Sequence, residues 1–147
     1  MRGVVLARDG VKVTDDLPEP ELTSDGLLLR VLGVGVCGGD VALVSGRRPA
    51  PSYPWLIGHE AACEVLTVGA DVTGWAVGDR AVLEPNVVDL TCPACRRGVT
   101  SACWHRDSAG VITQPGFLAE QVAFPAEFAH HCPHDARLED LSFAPSR

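Results

Sequence analysis

Gly58-His59-Glu60 sets an imidazole beside a carboxylate. Two thiol-bearing stretches flank it: Cys37-Gly38-Gly39-Asp40 upstream and a loop from Cys92 to Cys103 downstream. Zinc takes thiolate, imidazole and carboxylate ligands, and a catalytic zinc keeps three protein ligands and one open position. Cys37, His59 and Glu60 supply one ligand of each kind. Singly, such a Cys is ordinarily a small buried hydrophobe, and such a His a hydrogen-bonded ring at a strand end. Together, in glycine-rich settings, they point to a metal. Cys92 and Cys95, spaced Cys-x2-Cys, are followed by Cys103 after seven intervening residues. That is a second metal signal, with three thiolates where a closed structural site uses four ligands. The expectation is two zinc sites on a small β domain.

The elements that must position these groups are strands. Met1 to Ala7 and Val11 to Thr14 flank Asp9-Gly10, a hairpin signal. Leu17 to Asp25 is a Pro- and acid-rich loop. Leu27 to Val36 reads as a long buried strand whose glycines predict a bend or close backbone approach. It delivers Cys37 to the start of a short helix, Val41 to Ser45, stopped by Gly46; a helix N-terminus favours the thiolate. Pro49 and Pro51 exclude regular structure from Arg47 to Tyr53. Further strands are expected at Cys63 to Val68, Arg80 to Leu83 and Phe117 to Phe124. Short strands punctuated by Gly, Pro and Asp suggest a barrel or sandwich. Gly33-x-Gly35-x-x-Gly38 spells a dinucleotide fingerprint, but that fingerprint must open a helix of several turns. Gly46, Pro49 and Pro51 forbid one.

Length and composition bound the rest. A chain of 147 residues fits one domain, 1–147, and buries roughly 70% of its unfolded surface without disulfides. A net charge of −7 argues against nucleic acid, which needs a basic face. No run nears the roughly 18 apolar residues of a membrane span, so no membrane partner is expected. With no signal-peptide pattern at the start, the expected location is cytoplasmic. There the six cysteines read as metal-binding or catalytic before disulfide.

Cys37-Gly38-Gly39-Asp40, Gly58-His59-Glu60, Gly69 and Gly78-Asp79-Arg80-Ala81-Val82 together resemble the N-terminal domain of zinc-dependent medium-chain dehydrogenases/reductases. This is the alcohol, sorbitol, glucose and threonine dehydrogenase superfamily, and the likeness runs over essentially the whole chain. It implies a mainly β, GroES-like, partly open barrel with short helices and a protruding zinc lobe at about 86–108. It implies that Cys37 and His59 ligate the catalytic zinc. Glu60 is then a ligand or the adjacent carboxylate that exchanges with water, and Asp40 supports the ligands from behind. In the lobe the family pattern is Cys-x2-Cys-x2-Cys-x7-Cys. Cys92, Cys95 and Cys103 match its last three, and Asp89 falls at the first, giving Asp89, Cys92, Cys95 and Cys103 as structural ligands. His105 is a second candidate for the fourth. Phe117-Leu118-Ala119-Glu120 resembles a core strand, Trp55 either lines a pocket or packs, and His130, His131, Cys132 and His134 form a solvated cluster.

Four departures bear on activity. Gly39 stands where the family commonly has a Ser or Thr relay hydroxyl, Ala42 where a relay His is often found, and Cys63 where glycine is common. Ala144 meets Pro145 where relatives often carry a carboxylate or Cys. No Rossmann domain lies within 1–147. The resemblance therefore implies the catalytic zinc and substrate domain of an NAD(P)-linked alcohol or polyol dehydrogenase. It is not expected to bind NAD(P)H or be active without a Rossmann partner in cis or in trans, and a homo-oligomer is compatible with it. The alternative is a non-catalytic, zinc-stabilised GroES-like binding or structural module.

Overall fold

The computed structural model describes residues 1–141. The chain order is β1 (Gly3–Ala7), β2 (Gly10–Thr14), β3 (Gly26–Gly35), α1 (Gly38–Val44), β4 (Trp55–Leu56), β5 (Glu60–Val68), β6 (Arg80–Leu83), β7 (Asn86–Val87), β8 (Asp107–Ser108), β9 (Gln121–Pro125), β10 (Ala129–His131) and α2 (Leu138–Leu141). The expected hairpin forms, with Ala7 opposite Gly10, but its turn is Arg8-Asp9 and Gly10 opens β2 at φ +123°. β4 joins its other side, giving the order β2-β1-β4. The larger sheet runs β10-β6-β5-β3-β9. No closed barrel forms among the described residues, and no helix there is long and apolar enough to cross a membrane.

β3 is central because it pairs on both edges, with β5 and with β9. Leu27 and Leu29 are fully buried, and with Val65, Leu83, Phe117 and Phe124 they fill the main core. Phe117 meets Phe124 edge-on, with ring centroids 5.1 Å apart. A smaller cluster of Leu6, Leu43, Trp55 and Ile57 packs α1 onto the hairpin sheet. The expected irregularity in β3 is a register shift between Val31 and Gly33.

Three expected boundaries move. β5 starts at Glu60 rather than Cys63, because Glu60, Ala61 and Ala62 pair with Gly35, Val34 and Gly33. α1 starts at Gly38 rather than Val41, because a side-chain cap outweighs the low helix propensity of two glycines. The expected strand Phe117 to Phe124 is a strand only from Gln121. Residues 117–120 instead strap the two sheets together. Val4 N donates to Leu118 O at 2.7 Å, Glu120 N to Arg2 O at 3.0 Å and Val31 N to Glu120 O at 3.0 Å. Those partners lie on different elements, so no single ladder forms.

The loop after β8 is organised by Asp107. Its carboxylate accepts from Ser108 N at 2.6 Å and Thr113 N at 2.9 Å, and it also meets the Thr113 hydroxyl. Burial pushes this acid up, but the Thr113 hydroxyl and the Thr113, Ser108 and Gln114 amides outweigh it, so it sits below the ordinary Asp value. The stability it contributes is therefore complete above the unfolded pKa and is lost as pH falls through the lower, folded one. Asp107→Asn is expected to cost about 1 kcal/mol at neutral pH. It should also flatten the acid limb of stability against pH, read by urea unfolding at pH 7 and pH 3.

Candidate metal centres

Cys37 leaves β3 and becomes the N-cap of α1, with φ −107° and ψ 179°. Its sulfur accepts from Gly39 N at 3.1 Å, and its own amide donates to Asp40 Oδ2 at 3.0 Å. This is a capping box with Cys in the place of Ser or Thr and Asp in the place of Glu. Asp40 is 2% exposed, and its other oxygen reaches across to the second station. Oδ1 accepts from Gly58 N at 3.2 Å and lies 3.4 Å from His59 Nδ1. Gly58 is required there: its φ is +89°, and a Cβ would lie 2.8 Å from Leu118 Cγ.

The outcome is a ring held from behind. His59 presents Nε2 to Cys37 Sγ at 3.0 Å while Nδ1 faces Asp40. A ligating histidine ordinarily uses its second nitrogen in this way, on a carboxylate that fixes tautomer and orientation. The Asp40 carboxylate facing Nδ1 raises the His59 pKa against the opposing effect of burial. Burial pushes Asp40 up, but His59 and the Cys37 and Gly58 amides outweigh it and leave it below the ordinary value. Donor atoms of Cys37, Asp40 and His59 all lie within 4.8 Å of one another. Thiolate and imidazole suit zinc, so this donor set fits the metal. Glu60 is the next residue along, 6% exposed at the head of β5; it is outside that gathered set. Gly39 leaves a niche above the pair, where a Cβ would sit 3.3 Å from Cys37 Sγ and 3.4 Å from His59 Cε1. Arg48 places a positive charge near His59. Nothing in its Pro-flanked stretch signals that from sequence, because the approach is made by the fold.

The second station is a lobe whose neck is the β7–β8 pair, Asn86 opposite Ser108 and Val87 opposite Asp107. Short 3-10 turns at Cys95–Arg97 and Thr100–Ala102 fold the loop back on itself. Asp89, Cys92, Cys95 and Cys103 bring one donor atom each to within 4.8 Å of one another. Backbone amides are aimed at the sulfurs. Trp104, Cys95 and Ala94 amides hold Cys92 below its usual thiol value despite burial. The Leu90 amide serves Cys95, and His105 N lies 3.4 Å from Cys103 Sγ. Leu90 itself adopts φ +54°, a conformation costing about 1 kcal/mol or more for such a residue. Cys95 is pushed up to about 12 by burial and by its contacts with Cys92, Cys103 and Asp89. Three thiols this close resist joint ionisation, and a divalent cation removes that resistance. Three sulfurs and a carboxylate, with amides already aimed at sulfur, fit zinc.

Other marked residues serve packing. Cys63 is 1% exposed within the main core, and burial pushes its thiol far above the usual range. It stays clear of the metal-ligand sets. In the folded protein Cys63 is expected to resist iodoacetamide while remaining reactive in urea, read by peptide mass spectrometry. Trp55 is buried, and its Nε1 donates to Gly110 O at 2.9 Å. With Phe117 and Phe124 it also walls a cavity of about 370 Å³ whose lining does not include Cys37 or His59. His131 stacks on Trp75 at 3.7 Å, and His130 lies 3.3 Å from Glu84. Cys132 packs against the Ala62 and Val82 cluster. The departure at Ala144 and Pro145 lies outside the described residues.

Residues 23–134 match the model of the alcohol dehydrogenase GroES-like domain. The chain is 35% identical over 130 residues to D-altritol 5-dehydrogenase of Agrobacterium fabrum, covering 88% of this chain and 38% of that one. It is 35% identical over 141 residues to L-threonine 3-dehydrogenase of Escherichia fergusonii, covering 92% and 40%. Among solved structures, galactitol-1-phosphate dehydrogenase from Escherichia coli superposes with a TM-score of 0.89 at 28% identity, over 97% of this chain and 41% of that one. The alcohol dehydrogenase TADH from Thermus sp. ATN1 superposes with a TM-score of 0.88 at 28% identity, over 99% and 44%. The chain thus spans about two-fifths of the length of these relatives.

Proposed function

This chain belongs to the alcohol dehydrogenase GroES-like domain family, and from that membership we propose that it is the zinc- and substrate-holding domain of a zinc-dependent, NAD(P)-linked alcohol or polyol dehydrogenase. The observation that carries the reading is the convergence of Cys37 Sγ on His59 Nε2 at 3.0 Å with Asp40 behind the ring. Cys37, His59 and Glu60 would hold the catalytic zinc. Asp89, Cys92, Cys95 and Cys103 would hold the structural one. The catalytic zinc, when bound, supplies Lewis acidity that polarises the substrate oxygen and lowers its pKa.

The chain's own part is positioning. Asp40 fixes the His59 tautomer with Nδ1 turned inward, leaving Nε2 for the metal. The cap at Cys37 holds the thiolate at the N-terminal end of α1, where amide dipoles favour negative charge. Glu60, adjacent to His59, would be the third ligand or the neighbouring carboxylate that exchanges with water. The Gly39 niche brings no hydroxyl, so a proton leaving the substrate passes to water or to a neighbouring substrate hydroxyl. Polyols carry such hydroxyls, and the altritol and galactitol-1-phosphate relatives favour that class. The nucleotide belongs to a Rossmann domain in cis or in trans, and the expected location is cytoplasmic. The second reading, a structural module, is favoured by the same glycine.

Cobalt in place of zinc tests the open position. Imidazole, or sorbitol at high concentration, is expected to shift the cobalt d–d bands of the wild-type protein and to leave those of Cys37→Ser unchanged. Bands that ignore both additives would favour the structural module.

A further inference from the structure

The lobe presents five candidate ligands where a closed site needs four, and Asp89 and His105 are in direct contact. The contact decides their roles. An ionised carboxylate has about four acceptor positions. At Asp89, Oδ1 accepts from Thr91 N and Cys92 N, both at 2.9 Å. Oδ2 meets His105 Nδ1. Three of the four positions are thereby committed to the protein, and one remains for the cluster of sulfurs, where Cys95 already contacts the carboxylate. The Asp89 side chain is 19% exposed, whereas the His105 ring is 70% exposed. The gathered donor set holds Asp89 and the three cysteines and leaves His105 out. Trp104 and His105 also turn their backbone amides to the Cys92 and Cys103 sulfurs. His105 therefore ties the Asp89 end of the loop to the Cys103 end, by its amide on one donor and its ring on another.

We propose that His105 is a positioning residue of the lobe, holding Asp89 as a one-oxygen donor to the metal, and is not itself a ligand. This rests on the reading of the lobe as a zinc site. A hydrogen bond to a ligating carboxylate fixes which oxygen faces the metal and spreads the charge of a site built from three thiolates and a carboxylate. Without the ring, Oδ2 is free to rotate toward water, and the carboxylate competes less well against chelator.

The test uses the full chain in a Cys37→Ser background, so that only the lobe takes metal. Zinc affinity is measured against a chromophoric chelator, and the same proteins are loaded with cobalt to read the thiolate-to-metal charge-transfer band. His105→Ala is expected to weaken zinc binding about 10–100-fold with the charge-transfer intensity unchanged, since all three sulfurs stay bound. His105→Asn, whose amide N–H can stand in for Nδ1–H, is expected to recover most of the affinity. Asp89→Ala is expected to lose at least as much as His105→Ala. Unchanged affinity in His105→Ala overturns the proposal. So does a His105→Asn that binds as weakly as His105→Ala beside an Asp89→Ala that binds as the parent does, for then the ring is the ligand. A parent lobe that takes up neither zinc nor cobalt is visible before any variant is compared. It overturns the metal reading of the lobe and the His105 role with it.

Discussion

Asp40→Ala is expected to destabilise the protein by about 2–5 kcal/mol and to weaken metal binding at the Cys37–His59 station about 10–100-fold. Both losses have one origin. Asp40 is 2% exposed and accepts from two amides, Cys37 N at 3.0 Å and Gly58 N at 3.2 Å. Alanine leaves both without an acceptor, at about 1–3 kcal/mol for each buried group. It also frees the His59 ring, whose Nδ1 now faces the carboxylate at 3.4 Å. Asp40→Asn separates the effects. It keeps an acceptor oxygen for one amide and loses the charge, so it should recover part of the stability and less of the metal affinity. Urea unfolding and chelator competition on the same samples read the two quantities. If Asp40→Ala loses stability with metal affinity intact, the carboxylate is only a helix cap.

The second large effect is expected from a methyl group. A Cβ on Gly116 would sit 2.4 Å from the Ile57 carbonyl carbon and oxygen and 2.6 Å from Gly58 O. These are backbone atoms with no flexible end to yield. The chain there is also tied by three main-chain hydrogen bonds of 2.9 Å: Gly116 N to Leu56 O, Phe117 N to Gly58 O and Leu118 N to Ile57 O. Gly116→Ala must part these segments, at a cost of about 3 kcal/mol or more. Because the displaced segment carries Gly58 and His59, the Cys37–His59 station should lose metal while the lobe keeps its own. Gly33→Ala is the control, since a Cβ there meets nothing within 4 Å. A Gly116→Ala protein that melts with the wild type and carries the same metal would contradict this packing account.

What could be read from sequence was chemistry concentrated in residue type and spacing. Cys37, Gly58-His59-Glu60 and the Cys92–Cys103 loop stand out because few residue types bind metal and glycines mark where the backbone must bend. The Asp9-Gly10 hairpin and β6 follow from local turn and strand preference. What escaped was set by contacts distant in sequence. Asp40 was legible as support for the ligands, but not that one carboxylate caps α1 and also holds Gly58 N, because the second partner lies eighteen residues on. The start of α1 was misplaced because Gly38 and Gly39 are poor helix formers, and the capping box that overrides them uses a cysteine. Residues 117–120 carry a strand pattern, yet their partners on Val4, Arg2, Ile57 and Gly58 make them a strap. His105 was legible as a lobe candidate; only the fold puts its ring on Asp89 rather than into the sulfur cluster.

If one chain holds two metal stations, one of them through Cys37, its zinc content must depend on that thiol. Zinc per chain is measured by elemental analysis on protein purified without added metal or chelator, and again on Cys37→Ser. Two zincs falling to one is the expected result. One zinc, unchanged by the substitution, would contradict it and leave only the Cys92–Cys103 lobe metallated.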